Sequence, residues 1–383
     1  VFQANLPHGK YYIQEVEHKP GYLPNDEVYS FDASYTDQTL ELLAFSEEIS
    51  NQPTITEFAK VDLTGGQEIE GAKMQILDQD GKVVEEWVSK KEPHVVYALE
   101  PGEYVLHEEQ APTEQGYVRA EDVKFVVEET VDVQKVKMED DHTKVSISKT
   151  DITDGKEIEG AKLQILDQDG EVVESWTTGE EHLIEYLPVG TYTLHEEAAV
   201  DGYIVANDVE FTVEETGEIQ KVKMEDERAM GQLVIVKTDT DSKAALEGVE
   251  FVLLEKETGK EVERLKTGKD GKAVSSLLPI GTYENGVFKE PITYVLKETA
   301  TLKGYEKTEE EWEIVFTYQN DKTPVIEVVK EIQNKKIPET PGTVKPGPKT
   351  GDDTNWFLPL LALGVSAGMV AGLLYYRKKQ KKA

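Results

Sequence analysis

Apolar residues recur at every second position in short runs along most of this chain, and Gly, Pro, Asn and Asp separate the runs. Successive side chains of a strand point to opposite faces, so this period of two predicts half-buried β-strands rather than helices. Asp-Gly pairs at Asp80-Gly81, Asp169-Gly170 and Asp270-Gly271 are expected to mark hairpins. The segments LEPGEY and LPVGTY read as turns that lead into a strand. The run Trp356–Tyr376, WFLPLLALGVSAGMVAGLLYY, is the one long stretch with a different character.

The strand pattern repeats. EFAKVDLTGGQEIEGAKMQILDQDGKVVEEW (57–87) matches VSISKTDITDGKEIEGAKLQILDQDGEVVESW (145–176), and the match continues through YVLHEE and YTLHEE to KVKMED in both copies. A diverged third copy starts at QLVIVKTD (232–239) and ends near IQNKK, and a partial copy opens the chain. The expected fold class is therefore all-β: tandem immunoglobulin-like β-sandwiches, plus a C-terminal transmembrane helix. The boundaries read as 1–52 for the partial domain, then 53–142, 143–228 and 229–336 for complete ones. The joints are read at Gln52-Pro53-Thr54, Asp141-His142-Thr143 and Glu227 to Gly231, and joints this short favour a stiff rod. Residues 337–347 are Pro/Gly-rich and read as an extended spacer.

Composition narrows the partners and the compartment. The formal net charge of −35 argues against nucleic-acid binding, which needs a basic surface. There is no cysteine, so disulfides cannot hold the small domains together. Trp356–Tyr376 carries no charge over 21 residues, and at ~1.5 Å per residue it would span ~31 Å, about the thickness of a bilayer core. The basic tail RKKQKKA follows it. The chain starts at Val1 without a Met or a signal peptide and is read as a fragment or processed product.

Three polar residues break the strand pattern in each complete repeat, because they stand where the next core residue should be. In the first strand these are Lys60, Lys149 and Lys237. In a later strand they are Glu108, Glu196 and Glu298, and in the last strand Asp140, Asp226 and Asn334. Asp140 is chosen over its neighbours Glu139 and Asp141 because it alone continues the face of Val136 and Met138. The partial repeat keeps Glu15 and Asn51. Charged groups are rarely buried without partners, so the recurrence is read as three groups meeting in one core. A desolvated amine loses its proton readily and is then a nucleophile. A carbonyl of Asp or Asn beside it is an electrophile, and a protonated Glu can polarise that carbonyl and carry protons. The product would be a side-chain amide, formed once per domain with loss of water or ammonia. A buried ion cluster of the same groups, held by hydrogen bonds, is the alternative.

These residues resemble the Cna-B/SpaA-type prealbumin-like domains of Gram-positive pilins and adhesins, over residues 1–336. The resemblance implies an isopeptide bond from Lys60 to Asp140 assisted by Glu108, from Lys149 to Asp226 assisted by Glu196, and from Lys237 to Asn334 assisted by Glu298. Glu15 and Asn51 take the assisting and acceptor roles in the partial domain, whose lysine is expected upstream of Val1. Two repeats carry Asp where the family more often has Asn. At the C-terminus, Pro348-Lys349-Thr350-Gly351, the apolar span 356–376 and the basic tail together resemble the LPxTG sorting signal of Gram-positive surface proteins. Gly347 stands where that pattern has Leu. The resemblance makes residues 348–383 the signal. Its implied partners are a sortase that cuts between Thr350 and Gly351, and the peptidoglycan that receives Thr350, with the membrane only a sorting intermediate.

Other signals are read plainly. DQDG (78–81 and 167–170) lacks the spaced ligands of a calcium loop and reads as a turn. His107-Glu108 and His195-Glu196 point to opposite strand faces and cannot chelate together, so no metal or cofactor is expected. Trp87 and Trp176 read as strand packing rather than sugar platforms, and the acidic runs as solvated faces. The expected protein is a non-enzymatic, wall-anchored stalk of a surface adhesin or pilus-associated protein. Alternatives are a basal or accessory pilin, a module that contacts host matrix or glycans, and the anchor of an enzyme lying upstream. A host ligand would fall to the upstream region.

Overall fold

The computed structural model describes residues 4–34 and 44–338. Val1–Lys336 forms one unit and Ile337–Ala383 another. Most of the expected spacer, the motif Pro348–Gly351 and the span 356–376 lie outside the described residues. Among the described residues no helix is long and apolar enough to cross a membrane.

Each complete repeat is a sandwich of two sheets. In the first, Ile55–Asp62 lies between His94–Tyr97 and Val133–Asp140, and the facing sheet runs in the order Val83–Val88, Lys73–Leu77, Gly102–Gln110, Val123–Val127. The second repeat has the same plan, with Lys144–Asp151 between His182–Glu185 and Ile219–Arg228. In the third, Met230–Asp239 pairs with Val325–Asn334, and a hairpin of Gly281–Glu284 with Val287–Pro291 is added. The first strand of each repeat pairs with the last in parallel, and the neighbouring pairs are antiparallel. A parallel pair cannot be joined by a hairpin, so the whole repeat is the crossover between them.

The alternating apolar residues meet between the sheets. Phe58, Met74, Ile76, Leu106 and Met138 fill the first core; Val145, Ile147, Leu163, Ile165 and Leu194 the second; Leu233, Ile235, Phe251, Leu253 and Leu296 the third. The partial repeat contributes an antiparallel pair, Lys10–Gln14 with Val28–Asp32, and Ile13 there stays exposed.

Two sequence expectations need correction. Asp270-Gly271 does not join paired strands: Glu261–Lys266 before it belongs to one sheet and Lys272–Val274 after it to the other. The paired turn of the third repeat is at Glu257-Thr258-Gly259, between Glu250–Glu255 and Glu261–Lys266. A tight turn reverses the chain in either setting, so the dipeptide alone does not say which strand receives it. The joint read as Glu227 to Gly231 is also narrower. The strands reach Arg228 on one side and Met230 on the other, which leaves only the buried Ala229.

Candidate functional site

The parallel pairing sets the site. Lys60 is registered with Met138 and Asp62 with Asp140; Lys149 with Met224 and Asp151 with Asp226; Lys237 with Ile332 and Asp239 with Asn334. The acceptor therefore stands diagonally from the lysine on the same inward face, within reach of a long side chain. The glutamate comes from the facing sheet. Its strand carries a register shift opposite Lys73/Met74, Lys162/Leu163 and Glu250/Phe251, so that Glu109, Glu197 and Thr299 are the extra residues just after Glu108, Glu196 and Glu298. A bulge re-aims a side chain, and here it sits beside the inward glutamate in all three repeats.

The three groups touch in every complete repeat, and all nine residues are buried. Lys60 Nζ bonds to Asp140 Oδ1 and lies 2.9 Å from Glu108 Oε2. Lys149 Nζ bonds to Asp226 Oδ1 and lies 3.0 Å from Glu196 Oε2. Lys237 Nζ donates to Asn334 Oδ1 and, at 2.8 Å, to Glu298 Oε2. Backbone N–H groups hold two of the glutamates: Ala120 donates to Glu108 at 2.8 Å and Ala206 to Glu196 at 2.6 Å. In the partial repeat Asn51 Nδ2 donates to Glu15 Oε1 at 2.6 Å, and the Asn25 N–H donates to Oε2 at 2.7 Å. The N–H of Asn25 first, then the amide of Asn51, hold the Glu15 carboxyl below its ordinary range.

Burial pushes the Asp140 and Asp226 carboxyls up to about 7; the lysine opposes the shift and the neighbouring glutamate adds to it. Glu108 Oε1, Asp140 Oδ2, Glu196 Oε1 and Asp226 Oδ2 are buried without a hydrogen-bond partner. A proton held by each Glu–Asp pair is the natural remedy for two carboxyls in one dry site. Burial likewise lowers the affinity of Lys237 for its proton, against the pull of Glu298. The arrangement thus sets an amine against a carboxyl or amide carbon, with a carboxyl group in contact with both.

The family described as SpaA, prealbumin-like fold domain, matches residues 54–142, 143–228 and 231–291. The chain belongs to the SpaA family. The third match stops short of Glu298 and Asn334, yet the third repeat places them as the first two place their counterparts. Among solved structures, the Bacillus anthracis TIE protein is 27% identical, with a TM-score of 0.51, over 75% of this chain and 52% of that one. This chain thus spans about half the length of that protein. The Streptococcal ancillary pilin is 16% identical, with a TM-score of 0.30, over 74% of this chain and 99% of that one. BcpA, the major pilin subunit of Bacillus cereus, is 16% identical, with a TM-score of 0.42, over the same shares. No curated protein matches the chain.

Sequence reasoning missed a second set of buried acids in these SpaA repeats. Asp62, Asp151 and Asp239 stand two residues past each lysine, on the same face, and are buried. Each carboxylate accepts backbone N–H bonds from the turn that follows: Asp62 from Thr64 and Gly65 at 2.6 Å, Asp151 from Thr153 at 2.7 Å, Asp239 from Ser242 at 2.7 Å. Two of them also serve the joints. Tyr186 of the second repeat donates to Asp62 at 2.8 Å, and Arg228, at the entrance to the third, donates to Asp151 at 2.5 Å. Burial alone would raise the Asp62 carboxyl; the Gly65 N–H and the Tyr186 hydroxyl outweigh it and hold the group low. The signal was present as KVD, KTD and KTD, in which the acid keeps the parity of the lysine.

The remaining discounted signals have ordinary surroundings. Trp87 stacks on His94 with ring centroids 4.3 Å apart, and Trp176 on His182 at 4.5 Å. His107 meets Asp122, and His195 meets Asp208. Asp78 and Asp167 accept N–H bonds within their own turns. Among the described residues no cluster of His, Asp and Glu is placed to hold a metal ion.

Proposed function

We propose that this chain is the wall-anchored structural stalk of a Gram-positive surface protein, stiffened by one intramolecular amide bond in each complete repeat. The observation that carries the reading is the contact of a buried lysine with a buried Asp or Asn, with a glutamate touching the lysine, three times over. The neutral amine attacks Cγ of the acceptor, and an Nζ–Cγ bond forms. The proton released by nitrogen passes through the glutamate to the leaving group, which departs as water from Asp140 and Asp226 and as ammonia from Asn334. The raised Asp carboxyls favour the protonated form, whose hydroxyl can leave. The bond would tie the first strand of the repeat to the last. Tension entering at one end would leave at the other through a covalent link, without shearing the parallel pair. In a chain without cysteine no disulfide can do this. The amide forms once and turns over no substrate.

The C-terminal reading belongs to the same proposal. A sortase would cut between Thr350 and Gly351 and join Thr350 to peptidoglycan, leaving the repeats at the cell surface. The test of the cross-links is an intact mass on residues 53–336. The expected deficit against the sequence is two waters and one ammonia. A full sequence mass would refute the cross-links.

A further inference from the structure

The acceptor in the third repeat is held on three sides. Its Oδ1 faces Lys237, and its amide has two N–H donors, both used: Asn334 Nδ2 donates to Glu298 Oε1 at 2.7 Å and to Thr301 Oγ1 at 2.7 Å. Thr301 lies three residues past Glu298. The same step from Glu108 lands on Ala111, and from Glu196 on Ala199. Those are the two repeats whose acceptors are Asp140 and Asp226, which have no N–H to offer at Oδ2. In the partial repeat, whose acceptor is Asn51, the step lands on polar His18. The residue at this step thus follows the chemistry of the acceptor.

Resting on the cross-link reading above, we propose that Thr301 is a positioning residue that makes the third repeat specific for an amide acceptor. An Asn amide can turn over about its terminal bond, which exchanges oxygen and nitrogen. Turned over, Nδ2 would meet Lys237 donor to donor, and the carbonyl would point away from the nucleophile. Thr301 favours the productive face, because its oxygen accepts the N–H that Glu298 leaves free. In the reaction Nζ–Cγ forms and Cγ–Nδ2 breaks. The proton from Nζ reaches Nδ2 through Glu298, and ammonia leaves from beside Thr301. With Asp as acceptor the hydroxyl would have the opposite effect: it would donate to the carboxylate and favour the charged form, which cannot release water. Alanine at 111 and 199 removes that donor.

The test is a time course of intact mass on the freshly translated full chain. The native chain, Thr301→Val, Thr301→Ser and Asn334→Asp are run with and without the change at 301. Thr301→Val is expected to slow ammonia loss on the order of tenfold, as befits one lost hydrogen bond to the reacting group, and Thr301→Ser to restore it. With Asn334→Asp in place, Thr301→Val is expected to speed water loss. The transplant Ala199→Thr is expected to speed ammonia loss in an Asp226→Asn chain, which tests the idea with Thr301 intact should Thr301→Val fail to fold. Equal rates for the native chain and Thr301→Val would overturn the proposal. So would equal slowing for Asn and Asp acceptors, since a merely structural threonine would not distinguish them. A native chain that never loses ammonia would overturn the cross-link in this repeat, and the role of Thr301 with it.

Discussion

Glu196→Gln isolates the covalent step in the second repeat. The glutamine keeps the volume of the side chain and can still accept the Ala206 N–H, but it cannot take up the lysine proton. Lys149 and Asp226 would remain beside each other, unjoined. The bond would close a loop of 77 residues, and the chain-entropy relation used for disulfides assigns such a loop about 4.5 kcal/mol. An unfolding entropy of about 2.1 cal/mol/K per residue over residues 143–228 converts this to a drop of about 25 °C in the melting midpoint of that repeat. The assay is intact mass together with calorimetry on residues 1–336. Against its own sequence mass the variant is expected to lack one water and one ammonia, where the native chain lacks two waters and one ammonia, and its second repeat melts far earlier. A variant that still lacks two waters and one ammonia against its own sequence would refute the role of Glu196. A variant that keeps this water yet melts within a few degrees of native would refute the argument that the link stabilises by constraining the unfolded chain.

Further outcomes test the electrostatics, the joint and the anchor. Lys149→Met removes the nucleophile and the cation that favours ionised Asp226, leaving a carboxyl whose folded pKa is raised above its ordinary value of 3.8. The folded state then binds the proton more tightly, so this contribution to stability is full below about 4 and falls as pH rises from there toward the raised folded pKa; urea melts independent of pH between about 4 and 7 would contradict the assigned burial. Gly116→Ala places a Cβ against the backbone of Tyr186 at a φ of +79°. It is expected to cost about 1–3 kcal/mol and to quicken proteolysis near Asp141–Thr143, and an unchanged cleavage rate would show that the joint does not depend on this approach. Thr350→Ala is expected to keep the protein in the membrane fraction of a Gram-positive host instead of the wall fraction; normal wall release would rule out Pro348–Gly351 as the processing site.

Much of the site was legible because strand geometry is local. Lys149 continues the face of Val145 and Ile147 by period alone, and the same parity chose Asp140 over Glu139 and Asp141. The neighbours illustrate the distinction: Asp140 is fully buried, whereas Asp141 bonds to Lys144 at the joint. Asp62 was missed although it shares that parity. It ends a strand before Thr64-Gly65-Gly66, and no spacing within that strand shows that it meets Tyr186 of the next repeat.

The sequence by itself determined the repeats, the strands and the inward direction of each polar residue, since these depend on spacing within a few residues. Only the tertiary structure decided which of those residues meet. Lys60 and Asp140 are 80 residues apart, Lys149 and Asp226 are 77 apart, and Lys237 and Asn334 are 97 apart. They touch because the first and last strands pair in parallel, while a bulge in the facing sheet turns the glutamate toward them. Thr301 and Tyr186 depend on the same level of organisation. Hydrogen-bond partners across sheets and across joints are set by register and approach, and no period within a single strand encodes either.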